Sequence, residues 1–221
     1  IEYHAMILDF LIFFVFIIGI NPDPSRWEGV ISPFSAEDSR WLFAIIFDGL
    51  REVTTKKITF AHAVTQNGQE LYAANDIFVG PANHISAGYD ILYRGKYERQ
   101  SSSGVIISTG LGQSGWYKSV IAQLNGGAEF LHMNKPSYTA IGWSDQELSF
   151  AVREPYPSIN SGADIVMGKI KLGESLKLRS YMPENGVIFS DGMQEDAISF
   201  NSGTLVTITV AKKQGNLLVC S

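Results

Sequence analysis

Cysteine is almost missing from this chain: the single one, Cys220, is the penultimate of 221 residues. One thiol can close no internal disulfide and supply no thiolate metal cluster, so the sequence reads as that of a protein for a reducing, cytoplasmic setting. Histidine is as sparse. His4, His62, His84 and His132 are scattered, with no H-x3-H pair and no cysteine partner, which leaves metal ligation without support. His62 falls in a strand pattern, where packing or edge exposure accounts for it. Charge is thin at 18%, below the roughly 25% of an average domain. No basic stripe argues for nucleic acid, and a net charge of −5 gives no attraction to an anionic membrane. The apolar run at 10–20 is eleven residues, well short of the roughly twenty a membrane helix needs. Glu2, His4 and Asp9 precede it where a secretory signal would carry basic residues. Two catalytic signatures are also missing. Gly112-Gln113-Ser114-Gly115 is no G-x-S-x-G elbow, and no glycine loop ends in G-K-[ST].

What is present is an apolar share of 45%, enough to bury a sizeable core in one large or two small domains. The first fifty residues carry two basic residues, Arg26 and Arg40, against seven acidic ones; the remainder balances at fifteen of each. The 10–20 run, closed by Asn21-Pro22-Asp23-Pro24, reads as a buried parallel strand entering a loop, with an uncleaved hydrophobic anchor as the alternative. Ser35 followed by Glu37 and Asp38 reads as a helix start, and Trp41, Leu42, Ile45, Ile46 and Leu50 supply an apolar face at helical spacing. Residues 1–53 therefore look like a piece of an α/β unit. From about Lys57 the pattern becomes strand-like, with the boundary at 51–57. Strands are expected over 58–65 and 70–79, joined through Asn67-Gly68, and over 89–93 and 96–100, joined through Arg94-Gly95. Further strands are expected at 138–143, 148–153, 164–170, 175–182, 186–189, 197–200 and 204–211. The fold class is thus α+β: a partial amino-terminal α/β unit, then a mostly antiparallel β-sandwich over 54–221.

The chain is organised around residues 101–119. An apolar run, Val105–Ile107, enters a loop of small residues, and a helical pattern leaves through Trp116, Val120, Ile121 and Leu124, stopping at Asn125-Gly126-Gly127. Strand, glycine loop and helix can set backbone N–H groups and hydroxyls against a phosphate or sugar, although small residues also make ordinary tight turns. Asn75-Asp76 precedes the run Ile77-Phe78-Val79. An amide beside a carboxylate can read a base edge and bond a ribose hydroxyl; the same pair also ends strands through local bonds to the backbone. Arg94, Lys96, Arg99 and Lys118 are expected to place positive charge around the loop, as a phosphate-bearing ligand or simply a solvated hairpin would have it.

Taken together, Asn75-Asp76-Ile77-Phe78-Val79 and Gly104-Val105-Ile106-Ile107-Ser108-Thr109 with its glycine loop resemble the carboxyl-terminal half of the NAD kinase family. That family carries an Asn-Glu or Asn-Asp pair, then a strand running into Ser-Thr-Pro-Thr-Gly-Ser-Thr-Ala-Tyr. Ser108, Thr109 and Gly112 match that segment, and Ser114, Gly115 and Trp116 stand where it has Thr, Ala and Tyr. The phrases from Gly19 to Val30 and from Met182 to Gly192 look like a divergent bacterial subgroup. The resemblance covers roughly residues 17–210. It implies transfer of the ATP γ-phosphoryl group, with Mg2+, to the adenosine 2′-hydroxyl of NAD, giving NADP. It also implies that Asn75, Asp76, Thr109, Gly112, Ser114, Gly115, Trp116 and Ser119 contact the dinucleotide, and that the chain forms a homo-oligomer, a dimer or tetramer. Catalytic residues and metal ligands have no counterparts among these positions.

Three departures set expectations about activity. Ser103 replaces the aspartate before the strand glycine. Gly110-Leu111 replaces Pro-Thr, which removes a hydroxyl and is expected to loosen the loop. The family's Gly-Gly-Asp-Gly-Thr motif, which would precede the 10–20 strand, does not occur in the sequence. Asp48-Gly49 and Asp191-Gly192 sit in no double-glycine phosphate loop and do not replace it. Phosphoryl transfer depends on positioning and charge neutralisation, so loss of that element is expected to cost orders of magnitude in rate. The expectation is an NAD-kinase-like protein whose amino-terminal catalytic half was lost by truncation or gene decay. The alternatives are a nucleotide-binding protein without transfer, and a non-enzymatic β-sandwich that self-assembles.

Overall fold

A computed structural model describes residues 16–26, 32, 34–38, 41–42 and 54–219. Within them, two sheets face each other. The first contains β4 (Thr55–Thr65), β5 (Glu70–Ala73), β7 (Ala87–Tyr93), β8 (Lys96–Ser102), β12 (Leu176–Ser180) and β15 (Leu205–Leu218), in the order β5-β4-β15-β12-β7-β8, with β1 (Phe16–Ile17) alongside β15. The second runs β11-β10-β9-β6-β13-β14, made of β6 (Asp76–Pro81), β9 (Val105–Ser108), β10 (Glu147–Val152), β11 (Met167–Lys171), β13 (Gly186–Ser190) and β14 (Ile198–Ser199). Every pairing within these sheets is antiparallel except that of β1 with β15.

The core lies between the sheets. Side chains of a strand alternate between faces, so Ala61, Ala63, Tyr89, Ile91, Leu176, Leu178, Val206 and Ile208 of the first sheet meet Ile77, Val79, Val105, Ile107, Leu148 and Phe150 of the second. The outward residues of the second sheet are apolar too. Phe78, Ile106 and Ala151 pack with Trp116, Tyr117, Val120 and Ile121 of helix α1 (Trp116–Phe130). Cover on both faces explains the unbroken apolar runs Ile77-Phe78-Val79 and Val105-Ile106-Ile107. The sandwich therefore carries a third layer, a helix, over its central strands.

Several expectations need adjusting. The run at 70–79 is two strands: the chain leaves the first sheet at Ala73 and enters the second at Asp76, so Ala74 and Asn75 form a corner. Helix α1 passes through Gly126-Gly127 and ends at Phe130, because a helix on a surface needs no residue there that its packing excludes; a Cβ at either glycine meets nothing within 4 Å. No strand forms over 138–143. That segment is instead tied to Gln113, whose Oε1 accepts from Ile141 N at 3.2 Å and from the Tyr138 hydroxyl. The last strand extends past Ala211 to Leu218, with a register shift between Val210 and Gln214 that lets it continue along β4.

Of the α/β unit expected at 1–53, the described residues show two short parallel pairings, β1 with β15 and β2 (Ile20–Asn21) with β3 (Phe34–Ser35), and helical geometry at Trp41 and Leu42. The parallel strand expected at 10–20 is described only from Phe16. Ser35 and Asp38 make the expected cap reciprocally, Ser35 N and Oγ donating to Asp38 Oδ2 and Asp38 N to Ser35 Oγ. Ile45, Ile46 and Leu50 lie outside the described residues, as does Cys220. No described helix is long and apolar enough to cross a membrane.

Candidate functional site

The corner between β5 and β6 is built by a residue far away in sequence. Asp191 follows β13 in left-handed geometry (φ 51°) and turns its carboxylate into the corner. Its Oδ2 accepts from Ala74 N at 2.8 Å and its Oδ1 from Asn75 N at 2.7 Å and Asp76 N at 3.1 Å, while Asp191 N donates to Asp76 O at 2.9 Å. Three backbone donors converging on one carboxylate fix the corner as a backbone nest closed by an internal anion. The corner's carbonyls are claimed from the other side. Thr109 N donates to Asn75 O at 2.9 Å, Thr109 Oγ1 donates to Ala74 O, and Gly112 N donates to Thr109 Oγ1 at 3.2 Å. Gly112 approaches so closely that a Cβ there would lie 2.0 Å from Asn75 O. Of the sequence-predicted positions, Asn75, Asp76, Thr109 and Gly112 thus form one unit.

With its backbone fully engaged, Asn75 keeps its side-chain amide, half-buried and outside the hydrogen bonds of the described residues. Beside it the Asp76 carboxyl is buried. Desolvation, and then the nearby Asp191 carboxylate, push its pKa up to about 7. Burial likewise moves Asp191 upward, against the pull of its three N–H donors. An amide with both donor and acceptor free, next to a carboxyl that ionises near neutrality, can pair with a base edge and a hydroxyl.

The remaining predicted positions lead away along the helix. Ser114 Oγ donates to Leu111 O at 3.2 Å within the 3-10 turn Gly112–Ser114, Gly115 caps α1, and Ser119 Oγ donates to Trp116 O at 2.6 Å. Trp116 stacks on Phe78 with ring centroids 5.4 Å apart, packs 6.4 Å from Phe189, and has the Arg153 guanidinium 5.3 Å from its ring. None of these hydrogen bonds or ring contacts reaches Asn75 or Asp76.

Three other expectations change. The loop is not loosened by Gly110-Leu111: a Cβ on Gly110 would lie 2.1 Å from Gly142 O, and Leu111 is buried with Ile58, Phe60, Ala211 and Leu217. Arg94 and Arg99 do not ring the loop, because they belong to the β7–β8 hairpin of the first sheet. There Arg94 pairs with Glu174 and Arg99 with Asp90. Asp191, set aside in the sequence because it sits in no phosphate loop, braces the corner; its sequence signal was an Asp-Gly turn closing an apolar strand. His62 is packed as expected, stacked on Tyr72 at 4.2 Å and 2.8 Å from Glu70 Oε2. No group of metal-ligating side chains occurs among the described residues.

A two-sheet antiparallel sandwich with a helix over its central strands and a braced corner between the sheets defines the class: the fold is NAD-kinase-like. The particular likeness is to the crystal structure of yeast NADH kinase complexed with NADH, with a TM-score of 0.61 and 14% identity, covering 87% of this chain and 52% of that one. The chain thus spans about half the length of that kinase. No protein-family model and no curated protein matches the sequence.

Proposed function

We propose that this chain binds the adenosine part of a nicotinamide dinucleotide at the Asn75-Asp76 corner, as the NAD-binding portion of an NAD-kinase-like protein. The observation that carries the reading is the corner itself. Its backbone is fixed by Asp191, Thr109 and Gly112, so Asn75 and Asp76 present their side chains without further ordering cost. Asn75 offers donor and acceptor to a base edge, and the Asp76 carboxylate accepts from a ribose hydroxyl. Thr109 and Gly112 act as positioning residues. Ser114, Gly115, Trp116 and Ser119 belong to the same proposed surface through the mouth of α1, with Trp116 contributing the edge of an indole already stacked on Phe78. The reaction in this reading is phosphoryl transfer from ATP, with Mg2+, to the 2′-hydroxyl of NAD. It is slow through these residues, because none of them supplies the charge neutralisation a γ-phosphate needs. A cytoplasmic setting and assembly into a homo-oligomer complete the proposal.

Calorimetric titration of the chain with NAD, NADH, NADP and ATP tests it, together with an NADP-formation assay containing Mg2+. The expected result is dinucleotide binding in the range of about 0.1–1 mM, weakened roughly tenfold or more by Asn75→Ala, with little or no turnover. No binding of any dinucleotide up to about 10 mM overturns the proposal. Binding without any turnover leaves a nucleotide-binding protein, and robust NADP production overturns the slow-transfer part.

A further inference from the structure

The outer face of the first sheet carries a recess of about 360 Å³, near the lower end of small-molecule sites, on the hairpin β7–β8 and away from the corner. Its floor is Gly88. This glycine lies inside a strand, where glycine is costly and often marks a close approach by another group. Nothing local demands it: its φ is not left-handed, and a Cβ would meet only Tyr181 Cβ, at 3.8 Å. Strand pairing sets Gly88 opposite Ser101 of β8, and Tyr181 N donates to Gly88 O on the other side, so the missing side chain leaves a gap between a serine and a tyrosine.

Charge is arranged on the next row. Asp90 is paired across the strands with Arg99, and its side chain is only 8% exposed. The Tyr181 hydroxyl donates to Asp90 Oδ2, whereas Asp90 Oδ1 accepts no hydrogen bond and lies 3.6 Å from Arg99 Nε; the Tyr97 hydroxyl also lies against this carboxylate. The guanidinium lies over the Tyr181 ring, 4.0 Å from its centroid. Arg99 lines the recess with its side chain half exposed, so the cation held against Asp90 and Tyr181 is open to an oxyanion there.

The far wall is the turn at 158–161, fastened along the edge of β8 by Tyr156 N to Ser101 O (2.8 Å) and Gly162 N to Arg99 O (2.9 Å). Its hydroxyl protons are spoken for: Ser161 Oγ donates to Tyr156 O, which leaves Ser158 Oγ to donate to Ser161 Oγ. Ser158 Oγ also accepts from Asn160 N at 3.2 Å, so each of the two lining hydroxyls keeps only remaining acceptor capacity, while the Asn160 side-chain amide and the Ser101 hydroxyl can donate or accept. One cation, half-offset by a buried carboxylate, beside a wall of acceptors suits a ligand with one anionic group and several hydroxyls.

We propose that this recess binds a small polyhydroxylated oxyanion, a sugar acid or sugar phosphate, with its anionic group against Arg99 and its hydroxyls on Ser158, Asn160 and Ser161. The site is independent of the dinucleotide reading. Titration of the full chain with gluconate, glucose 6-phosphate, inorganic phosphate and glucose, followed by NMR shifts, tests it. Gluconate or glucose 6-phosphate shifts resonances of Gly88, Ser101 and Asn160, and glucose binds at least about tenfold more weakly. Gly88→Leu, which fills the floor without a backbone penalty, abolishes the effect, and Arg99→Met weakens it roughly tenfold or more. Should Arg99→Met fail to fold because Asp90 loses its cation, Asn160→Ala on the exposed turn carries the same test with a loss of about threefold to tenfold. Preference for phosphate-bearing over carboxylate-bearing sugars identifies the source. Binding undiminished in Gly88→Leu, or no shift with either sugar anion up to about 10 mM, overturns the proposal.

Discussion

Asp76 and Asp191 place two carboxyl groups in one corner, and the protein's response to pH follows. Burial first, and Asp191 second, raise Asp76 from 3.8 to about 7. Between those values the unfolded chain has released a proton that the native chain still holds. Stability is therefore fully present below about pH 4, falls as pH rises through the interval, and levels off above about pH 7, by a few kcal/mol at most. Asp76→Asn removes Asp76's part of this slope and raises the urea midpoint at pH 8; under the proposed function it also lowers dinucleotide affinity. Urea unfolding at pH 5 and pH 8 checks both parts. Asp191, also raised by burial, contributes to stability in the same direction, but its oxygens already accept three backbone N–H bonds. Asp191→Ala leaves three backbone donors without an acceptor and puts alanine at φ 51°, so unfolding free energy falls by about 3–5 kcal/mol. Asp191→Asn keeps one carbonyl oxygen and a residue that tolerates the left-handed region, and loses roughly half as much.

At the scale of elements, glycines of one chain divide by what surrounds them. Gly112 and Gly110 stand where backbones meet, the first against Asn75 O and the second against Gly142 O. Alanine at Gly112 must push the β5–β6 corner outward and costs about 2–4 kcal/mol, seen as a lower melting temperature and, under the proposed function, as weaker NAD binding. Gly126 and Gly127 sit in the exposed half of α1 with open space around them. Gly126→Ala or Gly127→Ala stabilises the helix by about 0.5–1 kcal/mol, with no effect on the corner. Opposite signs at residues of identical type come from packing that lies far off in sequence. Periodicity gave the paired strands β7 and β8, the turn at Asn67-Gly68 and the start of α1, because each rests on contacts between neighbours along the chain. It did not give the switch of sheets at Ala74-Asn75, since alternation in β5 and the doubly buried run of β6 join into one strand-like pattern. It also missed that 138–143, with strand composition, is held by Gln113 rather than by a ladder.

At the scale of the molecule, β15 joins the parts. Its first half, Val206 to Val210, faces the main core, and its second half carries Leu217 and Leu218 to the clusters that hold Ile17, Ile18, Phe34 and Leu42. Stopping the chain after Ala211 is expected to free Ile17, Ile18, Phe34 and Leu42 and the start of β4 while the sandwich persists. Hydrogen exchange would show protection lost at Thr55–Thr59 and retained at Val105–Ile107; loss at both would mean that the strand is needed for the whole fold.

By itself the sequence determined the composition of the layers: which runs are buried on one face, which on both, and where tight turns fall. Those properties follow from side-chain period and backbone preference, which act over a few residues. The tertiary structure decided the rest. Only the meeting of β13 with β6 puts Asp191 against the amides of Ala74, Asn75 and Asp76, and only that burial moves the Asp76 pKa toward neutrality. Likewise, only the pairing of β7 with β8 and the approach of Tyr181 turn Gly88 from an ordinary strand glycine into the floor of a recess. These arrangements join residues up to 117 positions apart, a separation over which no local rule acts.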